Sequence, residues 1–87
     1  MVLQNARLLI GEKKVVLTEV SFEGAYSPLD CNGTVTVPKD CGFLPSMFDG
    51  PVYIDGGGQV YRISRTWDTR IKGDKYVIRC HGESESN

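Results

Sequence analysis

The sequence predicts an all-β fold: a small antiparallel β-barrel or strongly bent sheet of five to six strands, with an irregular apolar insert. Three observations carry this. Glycine supplies 10 of 87 residues without any low-complexity repeat, which demands many turns in a short chain. Several stretches alternate apolar and polar residues with period two, as half-buried strands do. Tight-turn residues then punctuate those stretches, most clearly Gly11-Glu12-Lys13-Lys14 and Gly56-Gly57-Gly58.

Along the chain, Leu3, Leu8, Leu9 and Ile10 lead into the Gly11–Lys14 turn, a four-residue hairpin loop before a strand over Val15–Phe22. Val16, Thr18, Val20 and Phe22 share one face of that strand. Residues Glu23 to Asn32 have loop composition, and Asn32-Gly33 has the form of a primed hairpin turn. Its partner strand would be Pro28-Leu29-Asp30, a poor strand former, so the hairpin and a plain loop both stay open. Thr34-Val35-Thr36-Val37 is a short strand stopped by Pro38. The last third reads as a three-strand meander: Val52–Asp55, Gln59–Trp67 and Lys75–Cys80, with Arg70-Ile71-Lys72-Gly73-Asp74 as its second turn. Regular alternation places Tyr61, Ile63, Arg65 and Trp67 on one face of the middle strand. Matching apolar to apolar puts Tyr61, Ile63, Tyr76 and Ile78 toward the core, with Arg62, Lys75, Arg79 and His81 outside. Residues 1–82 form one domain, at the small end of what folds alone, and Glu83-Ser84-Glu85-Ser86-Asn87 is a disordered polar tail.

Pro38 to Pro51 is the irregular segment, carrying Phe43, Leu44, Met47 and Phe48 among prolines and glycines. Four large apolar side chains need a home. One reading makes them a plug, with a turn of helix at Pro45-Ser46-Met47-Phe48 capping an open barrel end. The other makes them an exposed knuckle that docks on a protein partner.

The net charge of −1 is unevenly spread. Residues 1–50 sum to −2, residues 51–81 to +3, and Glu83 and Glu85 follow. The meander is therefore a mildly basic face on which Arg62, Lys75 and Arg79 are the candidate anion-binding or partner-steering residues. No run approaches the length of a membrane span, and Met1–Ile10 lacks a basic leader followed by a long apolar core. The expectation is an intracellular protein with free thiols. Three cysteines make an odd number, and Cys31 with Cys41 would pair only in an oxidising compartment.

Chemistry is hard to find. The single histidine, His81, follows Cys80, but neighbouring residues of a strand face opposite ways, so the two form no nucleophile–base pair. Cys31, Cys41, Cys80 and His81 lack the paired spacing of a structural zinc site. Asp55-Gly56-Gly57-Gly58 lacks the Lys-Ser/Thr and the following helix of a phosphate loop, and reads as a turn that needs positive φ. No catalytic residue, metal or cofactor is expected. A basic sheet face with Trp67, Tyr53 or Tyr61 nearby fits the stacking-plus-charge scheme of single-strand binders, although a surplus of +3 is a small basic footprint.

The segment Phe48-Asp49-Gly50-Pro51-Val52-Tyr53-Ile54-Asp55-Gly56-Gly57-Gly58-Gln59-Val60-Tyr61-Arg62-Ile63 resembles a pattern of tailed-phage neck proteins, the lambda-type head–tail connectors. The likeness runs over residues 48–81: a turn, a short strand, a Gly turn, an aromatic-bearing strand, a charged loop and a last strand. The chain is shorter than that family and has no evident N-terminal helical segment. The resemblance implies a non-enzymatic assembly protein, acting through loops and sheet edges and incorporated into a virion. The expected function is thus binding to another protein, or to further copies of itself, with Phe43, Leu44, Met47 and Phe48 in contact and the basic face setting register. Two other classes stay open: a single-stranded nucleic-acid or nucleotide-binding barrel, and a small phage-encoded inhibitor of a host enzyme.

Overall fold

Six antiparallel strands close into a barrel in a computed structural model that describes residues 2–85. They are β1 (Val2–Ile10), β2 (Val15–Tyr26), β3 (Asp30–Pro38), β4 (Val52–Gly56), β5 (Gln59–Lys72) and β6 (Lys75–Ser84). Around the barrel the order is β1-β2-β3-β6-β5-β4, and β4 pairs back onto β1 to complete the circuit. The all-β barrel expected from the sequence is therefore the architecture of the chain.

The hairpin at Gly11–Lys14 forms as its residues require. Gly11 and Lys14 both take positive φ, 79° and 52°, and the Lys14 amide donates to the Gly11 carbonyl at 2.9 Å. The segment from Glu23 to Asn32 departs from the loop reading. β2 runs on through Tyr26 and β3 begins at Asp30, leaving only Ser27–Leu29 as the turn. Ser27 builds that turn: its hydroxyl oxygen accepts from the amides of Leu29 (3.1 Å) and Asp30 (3.2 Å). Asn32-Gly33 is consequently strand, not turn. Gly33 stands opposite Gly24 where β2 and β3 cross closely. A Cβ on Gly33 would lie 2.2 Å from the Glu23 carbonyl oxygen, and one on Gly24 would lie 2.4 Å from that of Asn32. The glycines answer to close backbone approach, which a turn-based reading of Asn-Gly does not detect.

At the other end, β5 extends to Lys72 and only Gly73-Asp74 turns, so Arg70, Ile71 and Lys72 belong to the strand. β6 likewise runs past Cys80 and His81 to Ser84, with Arg62 opposite Glu83 and Tyr61 opposite Ser84. The Glu85 amide then donates to the Val60 carbonyl at 2.8 Å. The polar stretch expected to be a loose tail from Glu83 is paired backbone through Glu85, because β5 offers it a ladder. Ser86 and Asn87, the rest of that expected tail, lie outside the described residues.

The interior is filled by Leu8, Val20, Phe22, Val35, Val37, Phe43, Val52, Ile54, Tyr61, Ile78 and Cys80, all essentially without solvent contact. Alternate residues of each strand supply them, as the barrel geometry demands. Phe43 comes from the insert. Two short 3₁₀ segments, Lys39–Cys41 and Pro45–Asp49, fold the insert back so that the Phe43 ring packs edge-on against Phe48 (5.4 Å) and Tyr76 (5.9 Å). Hydrogen bonds hold it there, among them those from the amides of Lys39 to the Asp74 carbonyl, Met47 to the Leu44 carbonyl, Gly50 to the Met47 carbonyl and Gly11 to the Pro51 carbonyl.

Candidate functional site

The insert sorts itself. Phe43 is 1% exposed, and Met47 and Phe48 are half-buried against the core, whereas Leu44 is 56% exposed. Phe43 is thus a plug residue and cannot touch a partner while the barrel is intact. Of the four apolar residues expected to make contact, Leu44 alone is mostly open to solvent.

A second apolar surface sits on β5. This strand pairs with β4 only through Gln59–Arg62, but with β6 all the way from Tyr61 to Lys72. Past Arg62 its other side has no strand partner among the described residues; residues of the 3₁₀ turn at Phe48 and Asp49 border it as far as Ser64. From Arg65 to Lys72 the chain is an open sheet edge, carrying Trp67 at 49% and Ile71 at 63% exposure. The Arg65 guanidinium lies 5.3 Å from the Trp67 ring centroid, a cation–π contact. Arg70 Nε donates to Asp68 Oδ2 at 2.9 Å, although both groups remain well solvated.

Local backbone geometry explains why regular alternation misplaces this stretch. The pairing of β5 with β6 slips between Ile63 and Arg65 and again between Thr66 and Asp68, which are two β-bulges. Each bulge shifts the phase by one residue. Arg65 therefore pairs with outward His81 instead of sharing the face of Tyr61 and Ile63, and Thr66 pairs with buried Cys80. Trp67 falls in the second bulge, at the edge, and not on the core-facing row expected for it. From Asp68 to Lys72 the ladder is again regular.

The basic residues do lie outside the barrel, but not as one cluster. Arg62 is opposite Glu83, Arg79 is opposite Asp68 and Thr34, and Lys75 is opposite Lys72 and Pro38. Lys75 and Arg79 are four residues apart on β6, so roughly 13 Å separates each of the three from the next. Acidic groups interleave with them. The open cleft of about 630 Å³ over β3 and β6 has Lys72 and Lys75 on its walls, and also Glu23 and Asp74. The next depression along the same face sets Arg70 and Arg79 around Asp68. This surface offers mixed charge along a groove, suited to matching another patterned surface more than to gripping a single anion.

Among the described residues the buried cysteines have no histidine beside them on their own face of the strand. Cys31 and Cys80 are buried, and burial pushes their thiols up to about 11 and about 12. His81 is half-buried on the opposite side of β6 from Cys80. Cys31 and Cys41 stand at the two ends of β3, with roughly 20 Å of extended strand between them. They are free thiols, and a bridge between them would require Cα atoms within about 7 Å. Tyr61 is a structural hydroxyl: it donates to the Ser27 carbonyl and clasps the β2–β3 turn to β5. Among the described residues no group of three or more His, Cys, Asp or Glu is placed to hold a metal ion, and no helix is long and apolar enough to cross a membrane.

The edge surface was within reach of sequence reading. Trp67-Asp68-Thr69-Arg70-Ile71-Lys72 is rich in β-formers, and treating Arg70–Lys72 as turn residues concealed that. The unpaired state of the edge had no signal in the residues, since it follows from β4 being only five residues long. The chain matches no protein-family model, no curated protein and no solved structure.

Proposed function

We infer that this chain is a non-enzymatic assembly module whose work is to bind protein through the open edge of β5. One observation carries the reading: Arg65–Lys72 offers unpaired backbone together with exposed Trp67 and Ile71 on a rigid barrel wall. Edges of this kind accept an added strand, with main-chain hydrogen bonds giving affinity and side chains giving register. The role agrees with the one implied by the head–tail connector resemblance of residues 48–81, and Leu44 at the plugged end provides a further apolar contact.

Light scattering over a concentration series, with amide hydrogen exchange across β5, tests this. Association that protects the amides of Arg65–Lys72 and is lost in a Trp67→Ser, Ile71→Ser double variant is the expected result. A monomer that instead binds oligothymidylate with salt-dependent affinity, abolished by Arg62→Ala with Arg79→Ala, overturns the reading in favour of a single-strand binder.

A further inference from the structure

The geometry points to a specific partner for this edge: a second copy of the same chain, paired antiparallel through β5 about a two-fold axis at Thr69, an inference that rests on the assembly reading above. Two identical edges joined in this way form an isologous contact, in which residue i meets residue j and j meets i. Directly opposite residues must face the same side of the continuous sheet, so the axis passes through a residue position and the possible registers are few.

Charge decides among them. With the axis at Thr69, Asp68 of each copy stands opposite Arg70 of the other, Trp67 opposite Ile71, and Thr66 opposite Lys72. Every carboxylate meets a guanidinium and both exposed apolar residues are covered by each other. Moving the axis by one residue loses this match: at Asp68 two carboxylates coincide, and at Arg70 two guanidiniums coincide, and although Asp68 then meets Lys72, Trp67 meets Gly73 and stays uncovered. At Ile71 the register sets Arg70 against Lys72, and at Trp67 it runs Lys72 into Arg62, where β4 already occupies the edge, and leaves no opposite-charge pair. Cross-strand pairs of opposite charge and of aromatic with β-branched side chains stabilise a sheet, while like charges directly opposite oppose it. The five residues from Asp68 to Lys72 are free of bulges, so the central part of the proposed ladder is regular strand. The salt bridge between Arg70 and Asp68 within one chain is solvated on both sides and holds the two charges in place for exchange with those of the second copy.

The test uses charge-reversed variants of the full chain. Asp68→Arg alone and Arg70→Asp alone each place like charges opposite one another twice in the dimer, and each is expected to self-associate at least about tenfold more weakly than the native protein. Mixed in equal amounts, the two variants restore opposite charges at both positions, and the mixture is expected to recover the native dimer mass by light scattering. A second measurement fixes the register. In a Cys41→Ser background, Thr69→Cys places the two introduced thiols opposite each other, roughly 5 Å apart at Cβ, and mild oxidation links them as a dimer. Thr66→Cys, far from its own copy in this register, stays unlinked.

A native protein that remains monomeric, or a dimer whose Thr69→Cys form does not link, overturns the self-pairing. If the dimer persists unchanged in both charge variants, copies meet through another face, and self-pairing at β5 is overturned. The assembly reading falls instead to the oligothymidylate result, or to association that leaves the amides of Arg65–Lys72 unprotected.

Discussion

The two halves of β5 carry the same kinds of side chain and treat them in opposite ways. In the first half Tyr61 is 1% exposed, with β4 on one side and β6 on the other, and Ile63 is half-buried between β6 and the turn at Phe48 and Asp49. In the second half Trp67 and Ile71 are 49% and 63% exposed, with β6 alone beside them. Hydrophobicity does not separate the pairs; what borders the other side of the strand does. Fully burying a large apolar side chain stabilises a fold by about 1.5–3 kcal/mol. Tyr61 already contributes that to the barrel, whereas Trp67 and Ile71 hold most of theirs in reserve for a surface that covers them.

Replacing the buried ring probes the contrast most severely. Tyr61→Ala is expected to lower unfolding free energy by about 4 kcal/mol in urea titrations, since it removes a core aromatic and frees the Ser27 carbonyl. Tyr61→Phe isolates the hydroxyl, with an expected loss of about 1–2 kcal/mol. Gly33→Ala follows in size. Gly33 faces Cys80, which in turn faces Thr66 at the boundary between the halves, and its new Cβ would collide with the Glu23 backbone. The expected destabilisation is about 3 kcal/mol, and a thermal midpoint equal to that of the native protein would show that the strand crossing has room for a Cβ.

Acid–base behaviour sharpens the contrast at intermediate size. The Cys31 and Cys80 thiols are raised from 9.0 to about 11 and about 12 by burial in the barrel interior. Below pH 9 both are protonated whether the chain is folded or not, and stability is independent of them. Between pH 9 and 11 the unfolded chain releases protons that the folded chain retains, so stability falls as pH rises, by up to about 1.4 kcal/mol per thiol per pH unit. Cys80→Ala is expected to flatten that slope in urea titrations at pH 8.5 and 10.5. Alkylation at pH 8 gives the companion result: half-buried Cys41 reacts, while Cys31 and Cys80 react only on unfolding. The smallest effect belongs to the open half, where Ile71→Ser is expected to change monomer stability by less than about 0.5 kcal/mol. A larger loss would mean that this edge is already covered within one chain.

Much of the barrel was legible because alternation and turn chemistry are local. Gly11–Lys14 announces its hairpin, Pro38 its strand end, and Tyr61, Ile63, Tyr76 and Ile78 their common face. The turn of helix at Pro45–Asp49 was legible too, from proline at its start and clustered apolar residues. Three features resisted. Gly24 and Gly33 look like turn residues, and only the strand crossing shows them to be spacers. The bulges at Ser64 and Trp67 leave no compositional trace, so period-two alternation puts Arg65 and Trp67 on the face of Tyr61. The basic surplus of the meander was real in sum, but cross-strand neighbours such as Glu83 and Asp68 divide it into mixed-charge patches.

From its residues alone this chain was bound to form a turn-rich antiparallel sheet and to bury one row of its strands, because period-two patterning acts within a few residues. Which apolar residues stayed outside was decided by tertiary structure. A five-residue β4 beside a fourteen-residue β5 leaves half of the longer strand without a neighbour. That mismatch exists only once the two strands are paired, and it converts Trp67 and Ile71 from core formers into a surface.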